Sequence, residues 1–195
     1  MKVEDCIIHL KEIFDKSFSE RIINYIDKLD NTGKLKNLAV GTNELSRLNL
    51  DIRNVMGHHM QINSIENNHQ SDVIFSKVIQ NIIKPLFLNF SLHFPFYPFG
   101  KINQIDLLKY SPGGHYETHC DDSVDIHRAA TIIINLNNEY DGGELMFYSV
   151  YKKEVLKTIS LKKGDVVFFP SNFLFPHKIN PITKGTRYSI VAWVE

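Results

Sequence analysis

From residue 101 onward the chain breaks into short apolar runs separated by glycine- and proline-bearing turns, and this pattern limits the fold more than any other feature. Residues 104–110, 128–136, 144–149, 154–161, 165–169 and 186–194 read as strands. Ser111-Pro-Gly-Gly114, Asp141-Gly-Gly143, Lys162-Lys-Gly164 and the segment from Asn180-Pro181 to Gly185 supply the turns between them. The first hundred residues have a different rhythm. Ser17-Phe-Ser-Glu20 has the form of a capping box and predicts a helix with Ile22, Ile23, Ile26 and Leu29 on one face, ended by Asp30-Asn-Thr-Gly33. A second helix is expected from about Ser71, with Val73, Ile74, Val78, Ile82 and Ile83 as its stripe before Pro85 disturbs it. Residues 35–70, rich in Asn and carrying His58, His59 and His69, read as mostly loop. Five phenylalanines at 87, 90, 94, 96 and 99 are expected to pack against a sheet. Two helices followed by a run of antiparallel strands predict an all-β core with supporting helices, a sandwich or jelly roll buttressed on one sheet. With no repeat, linker or low-complexity segment, residues 1–195 are expected to form one domain, 1–100 as helical support and substrate-side loops and 101–195 as the core.

Charge narrows the function. Lys plus Arg and Asp plus Glu each number 22, and the balance holds in both halves of the chain. A main role in gripping phosphate backbones or anionic membranes needs a basic excess, so neither nucleic acid nor membrane is the expected partner. The one basic stretch, Lys152 to Lys163, reads more simply as lysines guarding an edge strand. Two cysteines, Cys6 and Cys120, make no disulfide framework and suit a reducing compartment. The acidic start and the absence of an 18-residue apolar run make a cytoplasmic protein the expectation. Nine histidines are the one unusual count.

His119-Cys120-Asp121 sets an imidazole and a carboxylate two residues apart, on the same face if the backbone is extended. Such a pair also arises by chance as a surface His beside a carboxylate. Cys120 points the other way and reads as a small core residue. His177, ahead of the last strand, is the best third ligand, brought to His119 by a loop from the opposite sheet. Two His and one carboxylate on one side of an ion leave positions open, the arrangement of non-haem Fe(II) oxygenases. Zinc uses the same set, but hydrolysis then needs a placed general base, for which Glu117 is the nearby candidate. His115, on the strand face of His119, lies close enough to matter. Arg187 and Ser189 share one face of an otherwise apolar final strand, and an inward guanidinium needs an anion. That anion is either a carboxylate of the protein or a ligand.

The order of these parts is informative: Tyr110-Ser-Pro-Gly-Gly-His-Tyr-Glu-Thr-His119-Cys-Asp121, Arg128-Ala-Ala-Thr131, Asn137-Asn-Glu-Tyr-Asp-Gly-Gly143, Lys163-Gly-Asp165, then His177-Lys-Ile-Asn-Pro181 and Gly185-Thr-Arg187-Tyr-Ser189. Over residues 104–195 this resembles the prolyl 4-hydroxylase family of Fe(II)/2-oxoglutarate dioxygenases. The resemblance implies a double-stranded β-helix (jelly roll) with N-terminal helices packed on one sheet. It implies Fe(II) held by His119, Asp121 and His177, and Arg187 paired with the distal carboxylate of 2-oxoglutarate, with Tyr110 and Ser189 beside it. Asn135 sits where some members place a second tyrosine, and Arg187 replaces the Lys of the collagen-type enzymes.

The implied reaction is hydroxylation of a prolyl residue in a peptide or protein, using dioxygen, turning 2-oxoglutarate into succinate and carbon dioxide, with ascorbate as a candidate reductant. Arg128 and Tyr140 are candidate substrate contacts, although Arg128 serves equally well to stabilise its strand. Residues 35–70 and 122–127 flank the expected opening, either closing over a substrate or lying as ordinary surface loops. A free amino acid or other small metabolite is the rival substrate. Nucleic-acid demethylation is disfavoured because no second Arg follows Arg187. A non-catalytic jelly-roll binding module is the rival class, disfavoured because all three ligands and the anchor are present.

Overall fold

The computed structural model describes residues 2–41, 46–60, 62, 70–151 and 154–195. His69 and several neighbours in the 35–70 region, together with Lys152 and Lys153 of the basic stretch, lie outside the described residues.

The first helix, α1 (Lys16–Asn31), starts earlier than its sequence suggests. Asp15, not Ser17, is the N-cap: its carboxylate accepts from the backbone N–H groups of Ser17 (2.8 Å) and Phe18 (3.1 Å). A carboxylate there satisfies orphan donors and also meets the positive end of the helix dipole, so it outcompetes a hydroxyl two residues later. Phe18, Ile22, Ile26 and Leu29 form the buried face. The second helix, α2 (Gln70–Ser91), runs through Pro85 instead of stopping there. Pro85 forfeits one backbone bond, but the helix gains a buried stripe of Ile79, Ile83, Phe87 and Phe90 on both sides of it. That stripe is turned from the expected one, and Ile74 (61% exposed) faces outward. By length and composition α2 could cross a bilayer; here its buried stripe belongs to the core cluster. Of the five clustered phenylalanines, Phe87, Phe90, Phe94 and Phe99 pack together, Phe87 and Phe90 resting also on Phe168. Phe96 is fully exposed, so the expectation fails for that ring.

All six predicted strands form. They are β5 (Ile102–Tyr110), β7 (Ala130–Asn135), β9 (Leu145–Tyr148), β10 (Val155–Ile159), β11 (Val166–Pro170) and β14 (Arg187–Val194). Shorter ones join them: β1 (Ile8–Leu10), β2 (Lys36–Asn37), β3 (Arg53–Asn54), β4 (Met56–His59), β6 (His115–His119), β8 (Tyr140–Gly142), β12 (His177–Ile179) and β13 (Ile182–Gly185). The region 35–70 is therefore not mostly loop where it is described: β2 and β4 extend the large sheet and β3 the small one. Strands of two to four residues are too short to show alternation in sequence, which is why they escape notice.

Two antiparallel sheets result, one ordered β1-β11-β7-β14-β5-β4-β2 and the other β10-β9-β12-β6-β3. On β14 the alternation is clean. Ile190, Ala192 and Val194 face α1 and α2, whereas Val191 and Trp193 face the second sheet, in line with Arg187 and Ser189. The helices thus cover one face of the large sheet, and the interior between the sheets is left for the site. Lys109 pins α1 to β5 through Asp27 (2.7 Å) and Asp30 (2.9 Å), and the Tyr188 hydroxyl donates to Asp27 as well. β10 is an edge strand, as the lysine-rich stretch suggests, and its Lys157 donates to the Ile7 carbonyl. Because Ile79 is fully buried between α2 and the sheet, Ile79→Ala is expected to cost about 2–5 kcal/mol of unfolding free energy. Urea denaturation followed by circular dichroism measures it.

Candidate active site

His119 ends β6 and His177 begins β12, and the two strands pair with His119 directly opposite His177. The second imidazole therefore arrives on the neighbouring strand of the same sheet, not on a loop from the opposite one. The ring centroids are 4.4 Å apart. Each Nδ1–H donates to the carbonyl two residues before it, Glu117 O at 2.8 Å and Phe175 O at 3.0 Å. A carbonyl can only accept, so both Nε2 atoms carry free lone pairs. They point at the buried Asp121 carboxylate, at 3.5 Å from His119 and 3.6 Å from His177. These are the only three His, Cys, Asp or Glu residues among the described ones whose ligand atoms cluster in this way, all within 4.8 Å.

The electrostatics suit a cation. Burial alone would raise the Asp121 carboxyl; the His177 and His119 imidazoles and the Thr131 hydroxyl outweigh it and hold the group well below the usual carboxylate range. Burial, helped by His119, pushes His177 down to about 4, so it is neutral at physiological pH and has no proton to lose before binding a metal. Two imidazole nitrogens and one carboxylate oxygen on one side of a point fit Fe(II) with open positions opposite. Thr131 Oγ donates to Asp121 Oδ2 (2.6 Å) and lies 2.7 Å from Ser171 Oγ. Since partners that orient a metal ligand are typically worth 10–100-fold in affinity, Thr131→Val is expected to weaken Fe(II) binding by about tenfold, read by equilibrium dialysis.

Behind this cluster lies a narrow chamber lined by Tyr110, Arg187, Ser189 and Ile133, with about 40 Å³ of free space. Arg187 is 1% exposed. Its Nε donates to Asn135 Oδ1 (3.1 Å), its terminal nitrogen to the Gly143 carbonyl (3.4 Å), and it sits 5.4 Å from the Tyr110 ring centroid. Among the described residues no carboxylate lies within 4 Å of it. The internal salt bridge that could have explained an inward Arg is thus not there. Asn135 turns out to be the residue that orients Arg187, and it is held in turn by the Tyr140 hydroxyl (3.1 Å) and the Asn137 carbonyl (2.7 Å). Tyr140 is not among the residues lining the outer pocket; its hydroxyl lies behind the anchor, within hydrogen-bond distance of Asn135 Oδ1 and the Leu161 carbonyl. Gly143 is a further site residue, its carbonyl accepting from Arg187. Its φ of +69° is a backbone conformation that side chains rarely adopt, and a Cβ there would press on the tip of the Ile182 side chain at 2.5 Å, so glycine suits the turn whose carbonyl reaches Arg187. The Gly-Gly turn was the available clue.

In front of the cluster opens a pocket of about 660 Å³. Arg128 lines it, its guanidinium 3.8 Å from the Trp193 ring centroid and donating to Gln104 Oε1 (3.1 Å) and the Asp121 carbonyl (3.3 Å). It therefore both braces the strand and faces the pocket. Cys120 is half-buried on the same wall and is not a core residue. His115 bonds the carbonyls of Gly113 and Asp51, outside the ligand cluster, and the Glu117 side chain is exposed and no part of it. Parts of both flanking segments, including Val40, Ile52, Ser123 and Ile126, line the opening. Arg53, His59, Asp106 and Trp193 also line it, and none of them stood out in the sequence.

Known proteins share this architecture. Residues 105–195 match the 2OG-Fe(II) oxygenase superfamily. A PKHD-type hydroxylase of Pseudomonas aeruginosa is 34% identical over 96 residues, 44% of this chain and 40% of that protein, so the matched part is well under half of the relative's length. Among solved structures, a Pseudomonas putida prolyl-4-hydroxylase superposes with a TM-score of 0.72 at 18% identity, covering 97% of this chain and 92% of the other. A prolyl hydroxylase from Trichoplax adhaerens, solved with a hypoxia inducible factor oxygen degradation domain peptide, gives 0.77 at 18% identity, covering 97% and 83%. The two-sheet core with helices on one sheet is thus the jelly-roll fold of these structures, and it is residues 105–195, which carry the His119, Asp121 and His177 cluster, that match the 2OG-Fe(II) oxygenase superfamily.

Proposed function

We propose that this chain is an Fe(II)- and 2-oxoglutarate-dependent hydroxylase acting on a prolyl residue of a peptide or protein. The observation that carries the oxygenase reading is Arg187: a buried guanidinium, uncompensated by any described carboxylate, in a chamber that adjoins a two-histidine, one-carboxylate centre. An isolated buried charge is costly, and a small dicarboxylate reaching from the metal to Arg187 relieves it.

His119, Asp121 and His177 would hold Fe(II), which with bound 2-oxoglutarate and dioxygen supplies the oxidising chemistry. Arg187 receives the distal carboxylate through its fork, and Asn135 and Gly143 fix the plane of that fork. Ser189 and Tyr110 offer hydroxyls on the same inner face. The apolar wall of Ile133, Val191 and Leu108 keeps water from the space between anchor and metal. Substrate enters from the opposite side through the pocket walled by Arg128 and Trp193. The prolyl assignment rests on the fold shared with prolyl hydroxylases, one of them solved with a peptide, and on the open form of the pocket. A free amino acid is the second reading, favoured by the number of charged side chains in that pocket.

Incubation with Fe(II), ascorbate, 2-oxoglutarate and a panel of proline-containing peptides is expected to yield succinate in step with peptide gaining the mass of one oxygen. Product from free amino acids alone would favour the second reading. Failure to bind 2-oxoglutarate in the presence of Fe(II) would make the chain a binding module.

A further inference from the structure

Among the described residues three buried side-chain polar atoms lack a hydrogen-bond partner: Arg53 Nε, Trp193 Nε1 and Asp106 Oδ2. All three residues line the outer pocket, and two of them, Arg53 and Trp193, also line the chamber behind it. Buried polar atoms are normally satisfied, so three orphans on residues that wall one pocket point to a ligand that draws them into bonds.

The charges say what kind. Asp106, 1% exposed, is neutralised from one side: its Oδ1 accepts from His59 Nδ1 (2.7 Å) and Gln104 Nε2 (3.0 Å), and the bond to Asp106 holds the His59 imidazole above its usual range. Arg128 is drawn toward the Asp121 backbone and Gln104. Among the described residues Arg53 has no such compensation. Its terminal nitrogen donates to the Ala39 carbonyl (2.9 Å), a neutral acceptor, and its guanidinium lies 4.6 Å from the Tyr116 ring centroid. Tyr116 stacks on His119 at 3.6 Å, so Arg53 is one ring removed from a metal ligand. The wall of one pocket thus holds a cation with no carboxylate partner among the described residues, an indole N–H without an acceptor and a carboxylate oxygen without a donor.

Resting on the reading of this pocket as the substrate site, we propose that Arg53, assisted by Trp193 Nε1–H, is the specificity-determining receptor for a carboxylate of the substrate, while Asp106 Oδ2 takes an N–H beside it. The carboxylate belongs either to the α-carboxyl of a free amino acid or to an acidic or C-terminal group of a peptide. Arg53 comes from β3, outside the matched segment 105–195, so this preference is supplied by the chain's own N-terminal half.

Trp193 is the chain's single tryptophan, so its fluorescence reports occupancy of the pocket without turnover. The enzyme would be held with Fe(II) and 2-oxoglutarate under anaerobic conditions. The probes are end-blocked proline pentapeptides carrying Glu, Gln or Lys next to proline, the Gln peptide with a free C-terminus, and free L-proline. Carboxylate-bearing probes are expected to bind about tenfold tighter than the blocked Gln peptide. Arg53→Gln should erase that difference and Arg53→Lys keep part of it, with 2-oxoglutarate affinity measured alongside by dialysis. The better binder among L-proline, the Glu peptide and the free-ended peptide identifies the source of the carboxylate. Equal binding of acidic and neutral probes, no response of Trp193 to any carboxylate, or loss of 2-oxoglutarate binding in Arg53→Gln would overturn the assignment. The oxygenase reading is judged separately: succinate formation without probe tests it, and its absence would leave the Trp193 titration able to stand or fall on its own.

Discussion

Asp121→Ala is expected to abolish turnover while leaving the protein folded. Asp121 is the one anionic ligand of the cluster, 3.5 Å and 3.6 Å from the two Nε2 atoms. Losing a residue that merely orients a ligand costs 10–100-fold in metal affinity, so losing the ligand itself should cost more than about 100-fold. Two neutral imidazoles then remain, a weak site for a hard divalent ion. Stability should fall only modestly. The imidazoles and the Thr131 hydroxyl outweigh the burial cost of the carboxylate, so removing it loses some favourable interaction together with that cost. The variant without added metal is expected to keep a cooperative melting transition somewhat below that of the parent, while succinate production with Fe(II) falls below detection. Calorimetry and a coupled succinate assay separate these. Activity at the parent level would remove Asp121 from the site.

Much of this site is legible in the sequence, and for identifiable reasons. The 7-stranded sheet is built around β5, β7, β11 and β14, each five or more residues long, so their alternation is visible without a structure. The ligand triad is legible because spacing, not count, carries it: nine histidines supply two ligands. The charged wall of the substrate pocket is not. Arg53 sits on a strand of two residues, and Asp106 lies in an apolar run where an inward carboxylate looks like a break in pattern. Trp193 looks like core, and by burial it is, yet it walls the pocket and its buried N–H has no partner among the described residues. Asn135 and Tyr140 could be named but not placed, because their role depends on where Arg187 turns its side chain. The first-helix cap and the phase of α2 were missed for the same reason: several residues there are competent, and tertiary packing chooses among them.

The largest effect short of losing the metal is expected at Arg187. Arg187→Ala should raise the KM for 2-oxoglutarate by at least about 30-fold, since truncating one partner of a buried, hydrogen-bonded charge pair costs 2–5 kcal/mol and 1.4 kcal/mol is tenfold. Fe(II) affinity should be unchanged, because no ligand of the cluster bonds to Arg187. Arg187→Lys should recover only part of the loss: an ammonium keeps the charge but gives up the planar fork that Asn135 and the Gly143 carbonyl hold in place. A comparison of cosubstrates makes the test specific. The parent should strongly prefer 2-oxoglutarate to 2-oxopentanoate, which has the same chain length but no distal carboxylate. In Arg187→Ala that preference should collapse, because the discriminating cation is gone and the remaining wall of Ile133, Leu108 and Val191 is apolar. A variant that lost activity on both oxo acids equally, with the preference intact, would show that Arg187 supports the fold of the chamber and does not read the carboxylate.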